Sequence, residues 1–155
     1  MAKRYWLMKS EPHEFSIDDL AKVGTEPWSG VRNYQVRNSM RDDMHVGDGV
    51  LFYHSSADPT GIAGIAEVAR EAYPDPTAFD PGDPHYDAKS RPDAPTWLMV
   101  DVRAVERFPR LVTLEQLRAD PVAAGMQALR RGNRLSITPV TAEEWDAVRR
   151  LAGIA

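Results

Sequence analysis

Cysteine is absent from the 155 residues, which excludes a disulfide framework, a thiolate zinc site and a cysteine nucleophile. A reducing cytoplasm is the expected home. Long apolar runs are also missing from the N-terminal stretch MAKRYWLMKSEP, whose apolar run Tyr5 to Met8 is far short of a signal-peptide core or a membrane span. Neither export nor membrane insertion is expected. There is no excess of positive charge: the formal net charge is -4 and the pI is near 5.5. That argues against coating nucleic acid through bulk charge, so any contact with phosphate has to be local. His13, His45, His54 and His85 are scattered and fit no H-E-x-x-H or H-x-x-E-H spacing, so no metal is expected. No G-x-S-x-G elbow occurs. Neither Gly47-Asp48-Gly49 nor Gly61 with Gly64 completes a dinucleotide or phosphate loop, and no cofactor is expected.

What is present is the composition of an ordinary soluble domain, 43% hydrophobic and 27% charged, in a chain of a length that usually makes one domain. Residues 1–155 are read as a single domain, with no repeat, low-complexity tract or linker. RYWLMK, residues 4–9, predicts a strand ended by Pro12. Ser16 with Asp19 forms a capping-box pattern that starts a short helix, closed by Gly24. Residues 33–43 predict a second helix, with Tyr34, Met40 and Met44 available for burial and the arginines turned to solvent. GDGVLFYHS (47–55) reads as a turn and strand, and residues 61–73 and 96–108 as two more strands. In the last of these, Leu98, Val100, Val102 and Ala104 alternate with Asp101 and Arg103. The loop from Pro74 to Pro95 is long enough to be functional or mobile. Thr113 with Gln116, Asp120 with Pro121, and Thr141 with Glu144 are three helix starts, and Gly132 a helix stop. RLSITPV (134–140) is a short extended piece. This order suggests an α+β domain with a curved antiparallel sheet.

One segment departs from the acidic average. WSGVRNYQVRN (28–38) offers a tryptophan, three side-chain amides and two arginines without an acid, and the acid-free stretch runs on to Arg41. A flat ring, forked cations and amides together suit a planar, hydrogen-bonding, anionic ligand such as a nucleotide. Other polar and aromatic groups stand at strand ends: Lys9, Ser10 and Glu11; Tyr53, His54 and Ser55; Trp97 and Ser136. A lone buried tryptophan is most simply core packing, and Arg32 alone most simply a surface ion pair. The whole set is better explained by a shared cleft.

YWLMKSEP, WSGVRNYQVRN, GDGVLFYHS, the strands around GIAGIAEV with EAYPDPTAF after it, TWLMVDV and RLSITPV, taken in order, resemble the EVE domain family from residue 4 to about 151. The resemblance implies a PUA-like pseudo-barrel of mostly antiparallel strands with flanking helices, similar in shape to readers of modified bases in RNA or DNA. It also implies a base pocket, with Trp28 as stacking wall and Lys9, Ser10 and Glu11 at the rim. Val31, Arg32 and Asn33 would lie beside it, and Tyr53, His54, Ser55, Trp97 and Ser136 would close it. Lys9, Arg32, Arg37 and Arg134 would hold flanking phosphates. The expected function is non-catalytic recognition of a modified base, 5-methylcytosine or a relative, flipped from a duplex or already unpaired, with nucleic acid as partner. Two alternatives stand beside it: a small-ligand, nucleotide-binding or protein-interaction module using the 74–95 loop as a lid, and an enzyme acting on a modified nucleoside with His54 and Glu11 as acid and base. A meeting of Ser10, His54 and Asp48 in space would be a chance arrangement, since no motif joins them.

Overall fold

The computed structural model describes residues 3–154. Strand β1 (Tyr5–Ser10) carries apolar residues at successive positions because both of its faces are covered. Trp6 and Met8 enter one hydrophobic cluster and Leu7, between them, enters another. Period-two alternation thus splits one strand between two cores. Helix α1 (Ile17–Val23) follows a complete capping box: the Asp19 N–H donates to Ser16 Oγ at 3.1 Å, and the Ser16 N–H to Asp19 Oδ2 at 2.9 Å. It ends at Gly24, whose φ of 82° suits a residue without Cβ. A short strand, β2 (Thr25–Pro27), leads to helix α2 (Tyr34–Asp42), capped by Asn33 through a 3.0 Å bond to the Val36 N–H.

Strands β3 (Gly49–His54), β4 (Gly61–Pro74) and β5 (Leu98–Thr113) form an antiparallel run. Helix α3 (Leu114–Ala119), strand β6 (Ile137–Val140) and helix α4 (Ala142–Leu151) complete the chain. The six strands make one sheet in the order β2-β5-β4-β3-β1-β6. The β4–β5 ladder shifts register four times, and each bulge adds local twist to the long strands. One core holds Val36 and Met40 of α2 and Leu20 of α1; the other holds Trp145 and Val148 of α4 and Leu117 of α3.

Four expectations change. The sheet is mostly antiparallel, as the resemblance implies, but not wholly so: β1 pairs in parallel with β3, from Tyr5↔Gly49 to Ser10↔His54. Asp120–Pro121 starts no α-helix, because the Asp120 carboxylate accepts from the Val122 and Ala123 N–H groups and shapes a turn and one 3₁₀ turn. Gly132 accordingly sits in a turn rather than at a helix end. Tyr34 is 60% exposed, and the arginines of its helix are not all free. Val36 takes the buried position instead, since it shares a face with Met40 four residues on.

Candidate functional site

The parallel pairing of β1 with β3 brings two strand ends together. The Ser55 N–H donates to the Ser10 carbonyl and the Lys9 N–H to the Ser136 carbonyl, both at 2.9 Å. Three chain segments distant in sequence therefore converge at one edge. The cleft they border has a volume of about 410 Å³ and is lined by Lys9, Ser10, Glu11, Glu14, Phe15, Glu26, Pro27, Trp28, Ser29, Ser55, His85, Arg134 and Ser136. That size is typical of a small-ligand site.

Its wall is aromatic. Trp28 meets Phe15 edge-on with ring centroids 6.4 Å apart and Phe52 edge-on at 5.7 Å. Trp28 is only half-buried, so it packs on the core while still bordering the cleft. The Trp28 N–H donates to the Val100 carbonyl at 2.7 Å, which ties this wall to β5. Ser10 Oγ donates to the Phe15 carbonyl at 2.5 Å, holding the turn that carries the second ring.

The charges in the cleft are unevenly balanced. Burial pushes the Lys9 ammonium below its ordinary pKa, and among the described residues no carboxylate pairs with it. Burial, and then the neighbouring Asp101 charge, push the Glu26 carboxyl above its ordinary value. Glu11, Glu14 and Glu26 supply acceptors, and Arg134 at the rim is exposed.

Lys9, Ser10, Glu11, Trp28, Ser55, Ser136 and Arg134 are thus brought together. The other residues expected in the pocket lie elsewhere. Tyr53 points to the opposite core with Leu51 and Ile62, because alternation puts it on the reverse face from Phe52. Val31 is core, and Asn33 gives its side-chain oxygen to the α2 cap. His54 does not line the cleft: its Nε2 accepts from the Ile17 N–H at 3.1 Å, and burial depresses its pKa. Trp97 is buried under the 74–95 segment, its indole N–H donating to Asp87 Oδ2 at 2.8 Å. Arg37 donates to Asn38 and to the Thr96 carbonyl and lies over the Tyr34 ring.

Arg32 is a clamp, not a free cation. Its guanidinium donates to the carbonyls of His85 and Val31, to Asp75 Oδ2 and to Thr77 Oγ1, at 2.8 to 3.1 Å. No donor pair is left facing outward for a phosphate. Asp75, fully buried, also accepts from Gly30 N–H at 2.8 Å and from Thr77. Burial opposes the Asp75 charge, but these hydrogen bonds outweigh it and hold the carboxyl below its ordinary pKa. The loop expected to be functional or mobile is therefore pinned onto WSGVR. The pinning also brings His85 to the cleft against Gly30, where φ is 85° and an added Cβ would meet the His85 ring at 2.8 Å. Ser29 belongs to the segment singled out from the sequence, whereas His85, Phe15, Glu14, Glu26 and Pro27 were not anticipated. Only the FSIDD helix start hinted that Phe15 would be held beside the end of β1.

The grouping Ser10, His54 and Asp48 does not assemble. Asp48 is buried at the opposite end of β3, accepting from the Trp6 indole at 3.0 Å and from the Arg4 and His45 N–H groups. Among the described residues no three His, Asp or Glu side chains are grouped to hold a metal ion. No described helix is long and apolar enough to cross a membrane.

Comparison with known proteins agrees with this architecture. The EVE domain profile matches residues 4–151. Human thymocyte nuclear protein 1 is 43% identical over 162 residues, covering 93% of this chain and 72% of its own. A crystal structure of a protein from Pseudomonas putida shares 49% identity with a TM-score of 0.91, covering 96% of this chain and 99% of its own. The human THYN1 protein, in a crystal structure in complex with 5-methylcytosine-containing DNA, shares 41% identity with a TM-score of 0.88 over 99% of both chains. These neighbours have the PUA-like fold. With a family profile spanning nearly its whole length and relatives of such identity, the chain belongs to the EVE domain family.

Proposed function

We propose that the cleft receives one modified base, 5-methylcytosine or a close relative, from DNA or RNA and holds it without chemical change. The observation that carries this reading is the human THYN1 complex with 5-methylcytosine-containing DNA, from a chain alignable with this one over 99% of its length. The cleft's own chemistry supports it. Trp28 and Phe15 offer ring surface, and stacking of a base on an aromatic side chain contributes about 1–3 kcal/mol. Flipping a base from a duplex costs a few kcal/mol, so stacking alone about breaks even and polar contacts have to add to it. Glu11, Glu14 or Glu26 can accept from an exocyclic amine such as that of cytosine, while Lys9 and Arg134, which line the cleft, would meet flanking phosphate. A methyl group sensed by shape adds about 1–3 kcal/mol, or roughly 10- to 200-fold discrimination.

Binding without catalysis is favoured because no nucleophilic grouping assembles and the histidine of the acid–base alternative is engaged outside the cleft. Ser10 Oγ donates to a carbonyl, His54 accepts from a helix N-terminus, and Asp48 stands at the far end of its strand. A reducing cytoplasm suits a chain without cysteine.

The test is tryptophan-quenching titration of short single-stranded oligonucleotides carrying cytosine, 5-methylcytosine, 5-hydroxymethylcytosine or N6-methyladenine. Preference for a modified cytosine of about tenfold or more is expected. Trp28→Ala should weaken binding by about 10- to 100-fold, the loss of one stack, while Trp28→Phe retains most of it and both variants keep a cooperative thermal transition. Binding to none of the four oligonucleotides would refute the proposal.

A further inference from the structure

We infer that the turn Arg130–Arg134 is a second contact surface, a grip for the phosphodiester strand on either side of a base held in the cleft. The inference rests on the base-reading proposal and extends it to residues outside the pocket.

Residues 121–142 contain no acidic side chain, and within them the sequence RRGNR puts three arginines into five positions. The turn is closed by the Asn133 N–H donating to the Arg130 carbonyl at 3.0 Å, with Gly132 at φ 81°. Positive φ at the third residue is what a type II turn requires, and glycine supplies it without strain. A Cβ there would meet nothing within 4 Å, so this part of the turn faces open space.

Arg130, Arg131 and Arg134 are all exposed. Among the described residues, none of them makes a side-chain hydrogen bond, an ion pair or a contact with an aromatic ring. That contrasts with seven other arginines that sit in ion pairs among the described residues, Arg150 with Asp120 and Arg107 with Asp18 among them. Asn133 Nδ2 is buried without a hydrogen-bond partner, so a donor of the same turn is also unmatched within the protein. In a chain of net charge -4, three adjacent unneutralised cations are the local positive surface that a polyanion requires.

Position sets the occupant. Arg134 and Ser136 line the cleft, and the Lys9 N–H to Ser136 carbonyl bond joins this segment to the cleft's other cation. Three residues of chain span at most about 10 Å, so Arg131 lies within that reach of the cleft wall at Arg134. A strand whose base enters the cleft and whose phosphate meets Arg134 would pass within about 10 Å of Arg131. Guanidinium groups suit phosphate oxygens through paired, charge-assisted hydrogen bonds.

The experiment compares the wild-type chain with Arg130→Gln/Arg131→Gln, with Arg110→Gln as a control for an exposed, unpaired arginine elsewhere. Binding of a single-stranded 5-methylcytosine oligonucleotide is followed against salt, and binding of the free nucleoside 5-methylcytidine is measured in parallel. The double variant should lose about 0.7 from the slope of log K against log salt for each phosphate contact removed. Its nucleoside affinity, its preference for the modified base and its melting temperature should stay unchanged. An unchanged slope, or the same fall with Arg110→Gln, would overturn the grip and leave the base pocket standing. A wild-type chain that binds neither oligonucleotide nor nucleoside would overturn the pocket and the grip together.

Discussion

Residues 28–41 and residues 121–142 are alike on paper: each is free of acidic side chains and each carries three arginines. In the fold they are opposites. Arg32 is clamped by Asp75, Thr77 and two carbonyls, Arg37 caps the Thr96 carbonyl, and Arg41 pairs with Asp42. Arg130, Arg131 and Arg134 stand exposed on a turn. The difference is made by where the opposite charge comes from. The acid-rich 75–93 segment folds onto WSGVR and its Asp75 neutralises Arg32, while neutral oxygens take up Arg37 and the next residue, Asp42, pairs with Arg41. Among the described residues no carboxylate pairs with an arginine of RRGNR. A run of one sign of charge marks a binding surface only after its distant counter-charges have been located.

The largest effect expected from breaking this contrast is at Asp75. Asp75→Ala leaves the Arg32 guanidinium partly buried without its carboxylate, and removing one partner of a buried pair costs about 3–5 kcal/mol. Urea unfolding should show a loss of that order, at the lower end because Arg32 remains 21% exposed. The wild-type contribution also has a defined pH sign. The folded pKa of Asp75 is depressed by its hydrogen bonds, against the opposing effect of burial. The unfolded chain therefore takes up the proton first, and this stability is present above about pH 4 and falls as pH drops through the folded pKa. A variant as stable as wild type at pH 7 would mean that the clamp is unimportant.

Next in size is the change that separates the two regions directly. Arg32→Gln removes several charge-assisted hydrogen bonds and should destabilise by about 1.5–3 kcal/mol. The salt slope of oligonucleotide binding should stay where it is in wild type, since the guanidinium donates inward. If Arg32 held a phosphate, as its place in WSGVRNYQVRN suggests, the slope would flatten instead. A flattened slope with intact stability would reverse the roles given to the two regions.

How far this could be read from sequence varies with the distance over which each feature is decided. The capping boxes at Ser16, Thr113 and Thr141 were legible because each is settled within four residues. The helix wrongly expected after Asp120 shows the limit of such rules, since one carboxylate can cap a tight turn as well as a helix. The parallel pairing of β1 with β3 was not legible, because no local pattern specifies a partner some forty residues away. For the cleft, Lys9, Ser10, Glu11, Trp28, Ser55, Arg134 and Ser136 were named from strand ends and from resemblance, and the structure gathers them. Tyr53 was misplaced by one step of strand alternation beside Phe52, although the period-two rule contained the answer. Trp97 and Arg32 have the chemistry of ligand contacts, but Asp87 and Asp75 take them up first. His85 reaches the cleft only because those bonds pin its loop.

The smallest expected effect is at Glu26, which lines the cleft that both regions border. Its sign is opposite to that of Asp75. Burial and the Asp101 charge raise the Glu26 pKa in the fold, and Asp101 is itself bonded to the Tyr73 hydroxyl, whose pKa is pushed up to about 12. The folded state therefore holds a proton on Glu26 after the unfolded chain has released it, and the stability linked to that group is lost as pH rises through the folded pKa. Glu26→Gln should accordingly raise the melting temperature at pH 7 by at most about 2 °C, the equivalent of roughly 0.5 kcal/mol in a chain of this size. That gain should vanish below about pH 4, where both states of the wild type carry the proton. If a cytosine amine donates to this carboxylate in the complex, the same substitution weakens oligonucleotide binding at pH 7 even as it stabilises the free protein. Stability and affinity moving in opposite directions would place the base at Glu26, whereas a gain in stability with affinity untouched would assign the amine to Glu11 or Glu14 instead.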